Sequence, residues 1–227
     1  MILFSPLIEQ AVELAAQWHD GTYRKSRWRD PAFEPPDGSV LRLPVMTHVT
    51  AVALIVQRAG WDEATVAAAF LHDVLEDPNR FGQTFPPEEL RRQMGEAVAV
   101  LVEAVSEQKV DAGGQKRSWR DRKEGSLARL RNSSPEAVAI SLADKLHNLW
   151  SMNEALAGGS DVFTDGPNRK AFSAGPEEQR WFFDAVISAS LVHSDPRLEP
   201  MRTQLTEEID RFCTLAGLSQ EGAAGSL

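Results

Sequence analysis

The sequence predicts one mainly α-helical domain, and three observations support that fold class. Apolar residues recur at helical spacing through most of the chain. A strand-like pattern is confined to residues 39–45, and no internal repeat or linker divides the sequence. The predicted helices lie within residues 7–19, 47–59, 63–76, 85–95, 95–107, 119–132, 135–156, 177–193 and 197–215.

Capping and helix-breaking residues justify the boundaries of the central helices. Gly60 can end the second helix, and Asp62 can cap the start of the third. Pro78 predicts the end of that third helix, because proline cannot continue one. Ser134, which is followed by a proline, predicts the start of the long helix 135–156.

Residues 20–45, 108–118 and 157–176 are also predicted to be irregular. Prolines break any helix in 20–45, where the pair Asp37-Gly38 predicts a turn or a small hairpin within 26–47. The tail 217–227 is expected to be disordered. We therefore expect one domain over residues 1–216.

Composition limits the possible functions. The chain has 227 residues, of which 42% are hydrophobic and 25% charged, as in a soluble globular protein. The net charge of −9 argues against binding of duplex nucleic acid, which requires basic patches, but a small nucleotide needs only a few local cations. The single cysteine, Cys213, excludes an internal disulfide and a cysteine-based zinc site.

The sequence offers no targeting signal. Glu9 and Glu13 stand where the apolar core of a signal peptide would continue. No apolar run approaches the roughly 20 residues that a membrane span requires. We therefore expect a cytoplasmic protein without a membrane partner, and the sequence leaves its oligomeric state open.

The motif LHDVLED concentrates ionisable groups. On a helix, His72 would share a face with Glu76, and Asp73 with Asp77. The preceding AAAFL is apolar enough to be buried, and burial makes such a cluster costly without a compensating cation. A divalent metal would supply that cation. A solvated acidic helix end is the alternative.

A second acidic residue, Asp144, lies in the apolar stretch ISLADKLHNLW, with Asn148 one helical turn further on. A carboxylate in such surroundings requires a cation or several hydrogen bonds, although a surface Asp–Asn face would explain it equally well. The neighbouring Lys145 is expected to point elsewhere on the helix. His147 is predicted to be structural or exposed, on a different face from Asp144.

Three further residues complete the candidate site. His48 begins an apolar helix, and the adjacent cations Arg24 and Lys25 follow another. The cations could bind a phosphate or a stacked base, or they could cap the helix. None of these elements is decisive alone. Their order, one His, then His-Asp, then a distant Asp, gives a mixed nitrogen and oxygen set that suits Mn²⁺ or a similar divalent ion.

With these motifs the sequence resembles the HD-domain phosphohydrolases, and within them the hydrolase domain of the RelA/SpoT alarmone enzymes and the small alarmone hydrolases. AAQWHDGTYRK, MTHVTAVALIV, AAFLHDVLED, GEAVAVLVEAVSE and SLADKLHNL are similar to five family motifs, in the family order. The resemblance covers roughly residues 7–155, and the C-terminal helices 177–215 match poorly. It implies that the domain is an HD-domain helical bundle.

The resemblance also implies a role for each candidate residue. His48, His72, Asp73 and Asp144 would ligate one Mn²⁺, and Glu76 and Asp77 would orient or deprotonate the attacking water. Arg24, Lys25 and Asn148 would hold the nucleotide. Enzymes of this kind remove the 3′-pyrophosphate of guanosine tetra- and pentaphosphate.

Departures from the family pattern keep other functions open. The insertion within 26–47 borders the expected base site, and Ser141 stands where alarmone enzymes usually carry Lys. The basic stretch 116–124 could bind phosphate, for example through Lys116, Arg120 or Lys123, or could be a solvated face. The alternatives are a phosphohydrolase of another nucleotide, such as NADPH or a nucleoside phosphate, and a non-catalytic scaffold that binds a nucleotide.

Overall fold

Nine α-helices form the regular structure of the computed structural model, within the residues it describes: 3–24, 32–111, 113–165 and 171–218. They are α1 (Pro6–Trp18), α2 (Met46–Arg58), α3 (Glu63–Leu71), α4 (Pro87–Met94), α5 (Glu96–Val105), α6 (Trp119–Asn132), α7 (Pro135–Ala157), α8 (Pro176–Ser190) and α9 (Glu199–Leu215). A 3₁₀ turn, Pro196–Leu198, precedes α9. The predicted all-α fold class is confirmed.

Local capping explains where several helices begin and end. The Asp62 carboxylate accepts a hydrogen bond from the Thr65 amide at 2.9 Å, as expected of a cap. The Ser134 hydroxyl likewise accepts from the Ala137 amide at the start of α7. Gly60 follows α2 with a φ of +83°, a left-handed conformation that favours glycine. These boundaries follow from the residues within one turn of each helix end.

Helix α7 lies at the centre of the bundle. It packs against α2, α3, α5 and α9, and Ile140, Leu142 and Leu149 are fully buried along it. A helix that is apolar on most of its circumference needs neighbours on most sides. The C-terminal helices contribute to this packing, since α9 packs along α7, and α8 packs on α6 and α7.

The prediction that the third helix extends to residue 76 is wrong. Helix α3 ends at Leu71, and residues 72–76 form turns in which Val74 N–H donates to Leu71 O and Glu76 N–H to Asp73 O. Pro78 gives a physical reason, because it lacks the amide that would bond to Val74 O and its ring opposes a helix at that carbonyl. His72 and Glu76 therefore do not share a helix face.

The segment 26–47 is only partly described, from residue 32 onward. Its turn is present, with Gly38 N–H donating to Pro35 O and a φ of +69° at Gly38. An antiparallel pairing joins Thr22–Arg24 to Leu43–Val45. One segment of the small hairpin, Thr22–Arg24, therefore lies before residues 26–47, which were predicted to contain it.

The remaining part of the predicted tail, residues 219–227, lies outside the described residues. Among the residues described, no helix combines the length and the apolar character needed to cross a membrane.

Substitution of the buried Leu149 tests the central position of α7. We expect Leu149→Ala to lower the free energy of unfolding by about 2–5 kcal/mol, because it leaves a cavity at the contact between helices. The matched control is Leu54→Ala on α2, whose side chain is 41% exposed. The control should change stability by less than about 0.5 kcal/mol. Urea denaturation of both variants measures the difference, and equal losses would contradict a central role for α7.

Candidate metal centre and cavity

Three helices bring the predicted metal ligands together. His48 lies in the first turn of α2, His72 and Asp73 follow the end of α3, and Asp144 lies in the middle of α7. The candidate ligand atoms of His48, His72 and Asp144 all lie within 4.8 Å of one another. His48 Nε2 is 3.1 Å from Asp144 Oδ1, and His72 Nε2 is 3.3 Å from Asp73 Oδ1.

These separations suit a divalent cation. Ligand atoms that each lie about 2.0–2.2 Å from one ion must be roughly 3–4 Å apart. His72 Nδ1 is 2.8 Å from Ala69 O, which fixes the proton on that nitrogen. The opposite nitrogen, His72 Nε2, is buried and has no partner in hydrogen-bonding geometry among the described residues. An enclosed ring nitrogen that faces two carboxylates fits a metal ligand.

Glu76 and Asp77 lie beside this ligand set and are held from outside the motif. The Glu76 carboxylate accepts a hydrogen bond from the Glu107 amide at 2.7 Å. The Lys109 ammonium donates to Glu76 O at 2.7 Å and to Asp77 Oδ1 at 2.9 Å. Burial, together with the charge of Asp73, raises the pKa of Glu76 to about 7. A carboxylate with that pKa can accept a proton near neutral pH.

A cavity of about 390 Å³ opens from the ligand set toward α6 and α8. Seven of the predicted site residues line it: Arg24, His48, Asp73, Glu76, Asp77, Asp144 and Asn148. Lys25 lies outside the described residues. Arg122, Lys123 and Arg129 of α6 also line the cavity. Of the three phosphate-binding candidates predicted in 116–124, Lys123 is therefore on the wall, whereas Lys116 and Arg120 are not among the residues that line it. The cavity therefore joins acidic ligands to a basic wall.

Residues 41–162 match the sequence model of the HD domain, more than half of the chain. The chain belongs to the HD-domain family. It is 30% identical over 155 residues to guanosine-3′,5′-bis(diphosphate) 3′-pyrophosphohydrolase MESH1 of Xenopus tropicalis, which covers 67% of this chain and 73% of that protein. It is 36% identical over 115 residues to the bifunctional (p)ppGpp synthase/hydrolase SpoT of Escherichia coli K12, covering 48% of this chain and 15% of SpoT.

Other matches are much longer than this HD-domain protein. A GTP pyrophosphokinase of Streptomyces coelicolor is 34% identical over 146 residues, 64% of this chain but only 14% of that enzyme. The HD-domain protein thus spans about a seventh of the length of that relative.

Solved structures support the same fold. The crystal structure of lmo0812 from Listeria monocytogenes EGD-e has a TM-score of 0.60 and 28% identity, over 73% of this chain and 94% of that one. A structure described as a metazoan ortholog of SpoT that hydrolyzes ppGpp also has a TM-score of 0.60, with 23% identity over 96% of this chain and all of that chain. At that identity the second likeness concerns the fold.

His147 of this HD-domain protein is a site residue that the sequence analysis did not assign. It is buried, and its Nδ1 lies 2.8 Å from His48 Nδ1. Burial lowers the pKa of both rings, to about 3 for His48 and about 4 for His147, so one neutral ring can donate to the other. The spacing could have revealed this contact, because residues three apart are neighbours on a helix and His147 follows Asp144 by three.

The prediction that Lys145 points away from Asp144 is wrong. The Lys145 ammonium contacts Asp144 Oδ2, and the Asn148 amide contacts Asp144 Oδ1. Burial opposes ionisation of Asp144, but Lys145 and the two nearby imidazoles outweigh it and lower the pKa of Asp144 well below its usual range. The long lysine side chain can curve back to the preceding residue, and a pattern based on Cβ directions does not include this freedom.

Replacement of His147 tests its contact with His48. We expect His147→Leu to weaken the binding of a divalent ion about 10- to 100-fold, because a ligand loses the hydrogen bond that orients its ring. Titration of the purified protein with Mn²⁺ in a calorimeter gives the affinity. The control is His193→Gln, at a half-buried histidine that bonds to Leu130 O, away from the ligands. An unchanged affinity in His147→Leu would show that the contact does not orient His48.

Proton release on metal binding provides a second test. Burial alone would lower the pKa of His72, but Asp73 and Asp144 outweigh it and raise this pKa to about 9. His72 therefore carries an extra proton at neutral pH, and a cation that uses Nε2 must displace it. Affinity for the ion should rise with pH from 7 toward 9. Calorimetry in buffers of different ionisation enthalpy should show about one proton released at pH 7.5, and a pH-independent affinity would contradict this assignment.

Proposed function

We propose that this chain is a divalent-metal-dependent phosphohydrolase that removes the 3′-pyrophosphate of guanosine tetra- or pentaphosphate. The observation that carries the proposal is that the candidate ligand atoms of His48, His72 and Asp144 lie within 4.8 Å of one another. Asp73 Oδ1 is 3.3 Å from His72 Nε2, and His48, Asp73 and Asp144 line a cavity with a basic wall. The names of two relatives, MESH1 of Xenopus tropicalis and SpoT of Escherichia coli, support the substrate.

We propose Mn²⁺ as the ion, since two imidazoles and two carboxylates form a mixed donor set with room for further ligands. Once bound, such an ion polarises phosphoryl oxygens and makes water easier to deprotonate. The proposed domain is residues 1–216, in which α8 and α9 pack on the motif-bearing helices. A nucleotide substrate is consistent with a cytoplasmic location.

In the proposed reaction, a water oxygen forms a bond to phosphorus and the bond from that phosphorus to the 3′-oxygen breaks. Glu76 accepts a proton from the water, as its pKa of about 7 allows. The leaving 3′-oxygen takes a proton from solvent, so the products are the 3′-hydroxyl and pyrophosphate. Asp77 is held by Lys109 beside Glu76 and orients the water.

The substrate is proposed to lie across the cavity. Arg24 donates to Asn148 Oδ1 at 2.9 Å, and both side chains line the cavity, so the pair can hold a nucleotide on the side of α7. We assign Lys25 to the same role from its place beside Arg24 in the sequence. Arg122, Lys123 and Arg129 face the other phosphates.

One observation favours a different nucleotide. Glu107 forms ion pairs with Arg122 and Lys123, so part of the positive charge of the basic wall is already neutralised. Ser141 also lines the cavity without adding a cation. A substrate with fewer phosphates than guanosine tetraphosphate, such as NADPH or a nucleoside monophosphate, is therefore the second candidate.

A hydrolysis assay with Mn²⁺ distinguishes the candidates. We expect release of pyrophosphate from guanosine tetraphosphate, with smaller activity toward NADPH and GMP, measured by chromatography of the products. Preferred hydrolysis of NADPH or GMP would move the proposal to the second candidate. Nucleotide binding without hydrolysis of any of the three would leave a non-catalytic scaffold and overturn the proposal.

Replacement of Glu76 tests its role in proton transfer. We expect Glu76→Gln to lower kcat about 10²- to 10⁴-fold, because the amide accepts no proton. Its affinity for Mn²⁺ should stay within about threefold, since Glu76 is not among the metal ligands. The control is Glu103→Gln on α5, at a carboxylate paired with Arg91 away from the cavity. A Glu76→Gln variant with wild-type kcat would exclude Glu76 as the proton acceptor.

A further inference from the structure

The cavity continues beyond the metal ligands into a chamber that no part of the proposed mechanism uses. One wall is a face of α8, where Gln179, Phe183 and Val186 lie at i, i+4 and i+7. Ser151 and Met152 of α7 line the same cavity. The face of α8 lies outside residues 41–162, which match the HD domain, so family membership assigns it no role.

Gln179 is the unusual residue of this chamber. It is only 8% exposed, and its carboxamide has no hydrogen-bond partner among the described residues. The Gln179 oxygen and nitrogen are not among the fully enclosed polar atoms that lack a partner, so they face the open space of the cavity that this residue lines. No described protein group occupies the Gln179 amide, which is therefore open to a ligand in the cavity.

The position of the chamber suits the far end of a nucleotide. Met152 follows Asp144 by eight residues on α7, which separates them by about 12 Å along the helix. A nucleotide can span that length, with its reacting phosphate at the ligand set and its base in the chamber. The rings of Phe182 and Phe183 line the cavity there and provide aromatic surface against which a base can pack.

We infer that the Gln179 carboxamide hydrogen-bonds to the edge of a purine base, and that α8 thereby supplies the base subsite. The inference rests on the proposed function in one respect, that the ligand is a nucleotide. A carboxamide presents one acceptor beside one donor, which complements O6 and N1–H of guanine. After rotation by 180° it also complements N6–H and N1 of adenine. Gln179 therefore accepts either purine.

Two variants separate base recognition from a structural role. Gln179→Met keeps the length of the side chain but removes both hydrogen-bonding groups, so the Kd of GDP and of ADP should both rise about 5- to 150-fold. Gln179→Glu keeps two acceptors and loses the donor. It can pair with N1–H and the 2-amino group of guanine but repels N1 of adenine, so only the Kd of ADP should rise, by a similar factor.

The measurement is equilibrium binding of GDP and ADP by calorimetry with the full chain in Mn²⁺. Gln204→Met on the exposed side of α9 is the matched control and should leave both affinities within twofold. Thermal unfolding checks the fold, and Gln179→Met should unfold close to the wild-type temperature because the amide that it removes has no partner among the described residues.

The outcomes are distinct. The inference is overturned if Gln179→Glu changes the affinities for GDP and ADP by the same factors as Gln179→Met does. It is also overturned if Gln179→Met changes neither affinity. If the wild type hydrolyses no nucleotide but the two variants change the GDP and ADP affinities as predicted, the proposed activity is overturned and the base subsite is supported. If the wild type hydrolyses its nucleotide and both variants keep the wild-type affinities for GDP and ADP, the base subsite is overturned and the proposed activity is supported.

Discussion

The site depends on the burial of several ionisable groups at the contact of α2, α3 and α7. Burial of a carboxylate such as Asp144 is unfavourable unless opposite charge and hydrogen bonds compensate for lost water. Lys145, Asn148 and His48 provide that compensation directly. The same contacts fix the orientation of the carboxylate. The same side chains therefore both compensate for the buried charge of Asp144 and fix the orientation of its carboxylate.

These compensating contacts also connect the proposed metal centre to the proposed nucleotide site. Arg24 donates to Asn148, and Asn148 contacts Asp144, so a residue that faces the substrate is linked through one amide to a ligand. On the other side, the Glu107 amide bonds to Glu76 while the Glu107 carboxylate pairs with Arg122 and Lys123. Direct contacts thus connect the candidate metal ligands to both Arg24 and the basic residues of α6.

The end of α3 at Leu71 has a functional consequence. A helix continued to residue 76 would orient its side chains by helical periodicity alone. The turns that replace it are held by tertiary contacts, since Trp18 Nε1–H donates to Asp77 O and Lys109 donates to Glu76 O. The positions of Glu76 and Asp77 are therefore set by α1 and by the residues that follow α5.

The sequence by itself determined the helical class, the main helix boundaries and the order of the candidate ligands. Caps such as Asp62 and Ser134 act within one turn, and apolar periodicity is equally local, so both can be read from neighbouring residues. The family resemblance then grouped His48 with Asp144, which no local pattern could do. That grouping is consistent with the distances between them.

Only the tertiary structure decided which groups support those residues. The contacts from His48 to His147, from Arg24 to Asn148 and from Glu107 to Glu76 join positions 99, 124 and 31 residues apart. They arise from the packing of helices whose relative positions are not encoded within any short segment. The buried carboxamide of Gln179 belongs to the same class, because an isolated glutamine on an amphipathic helix gives no sign in the sequence that it faces a cavity.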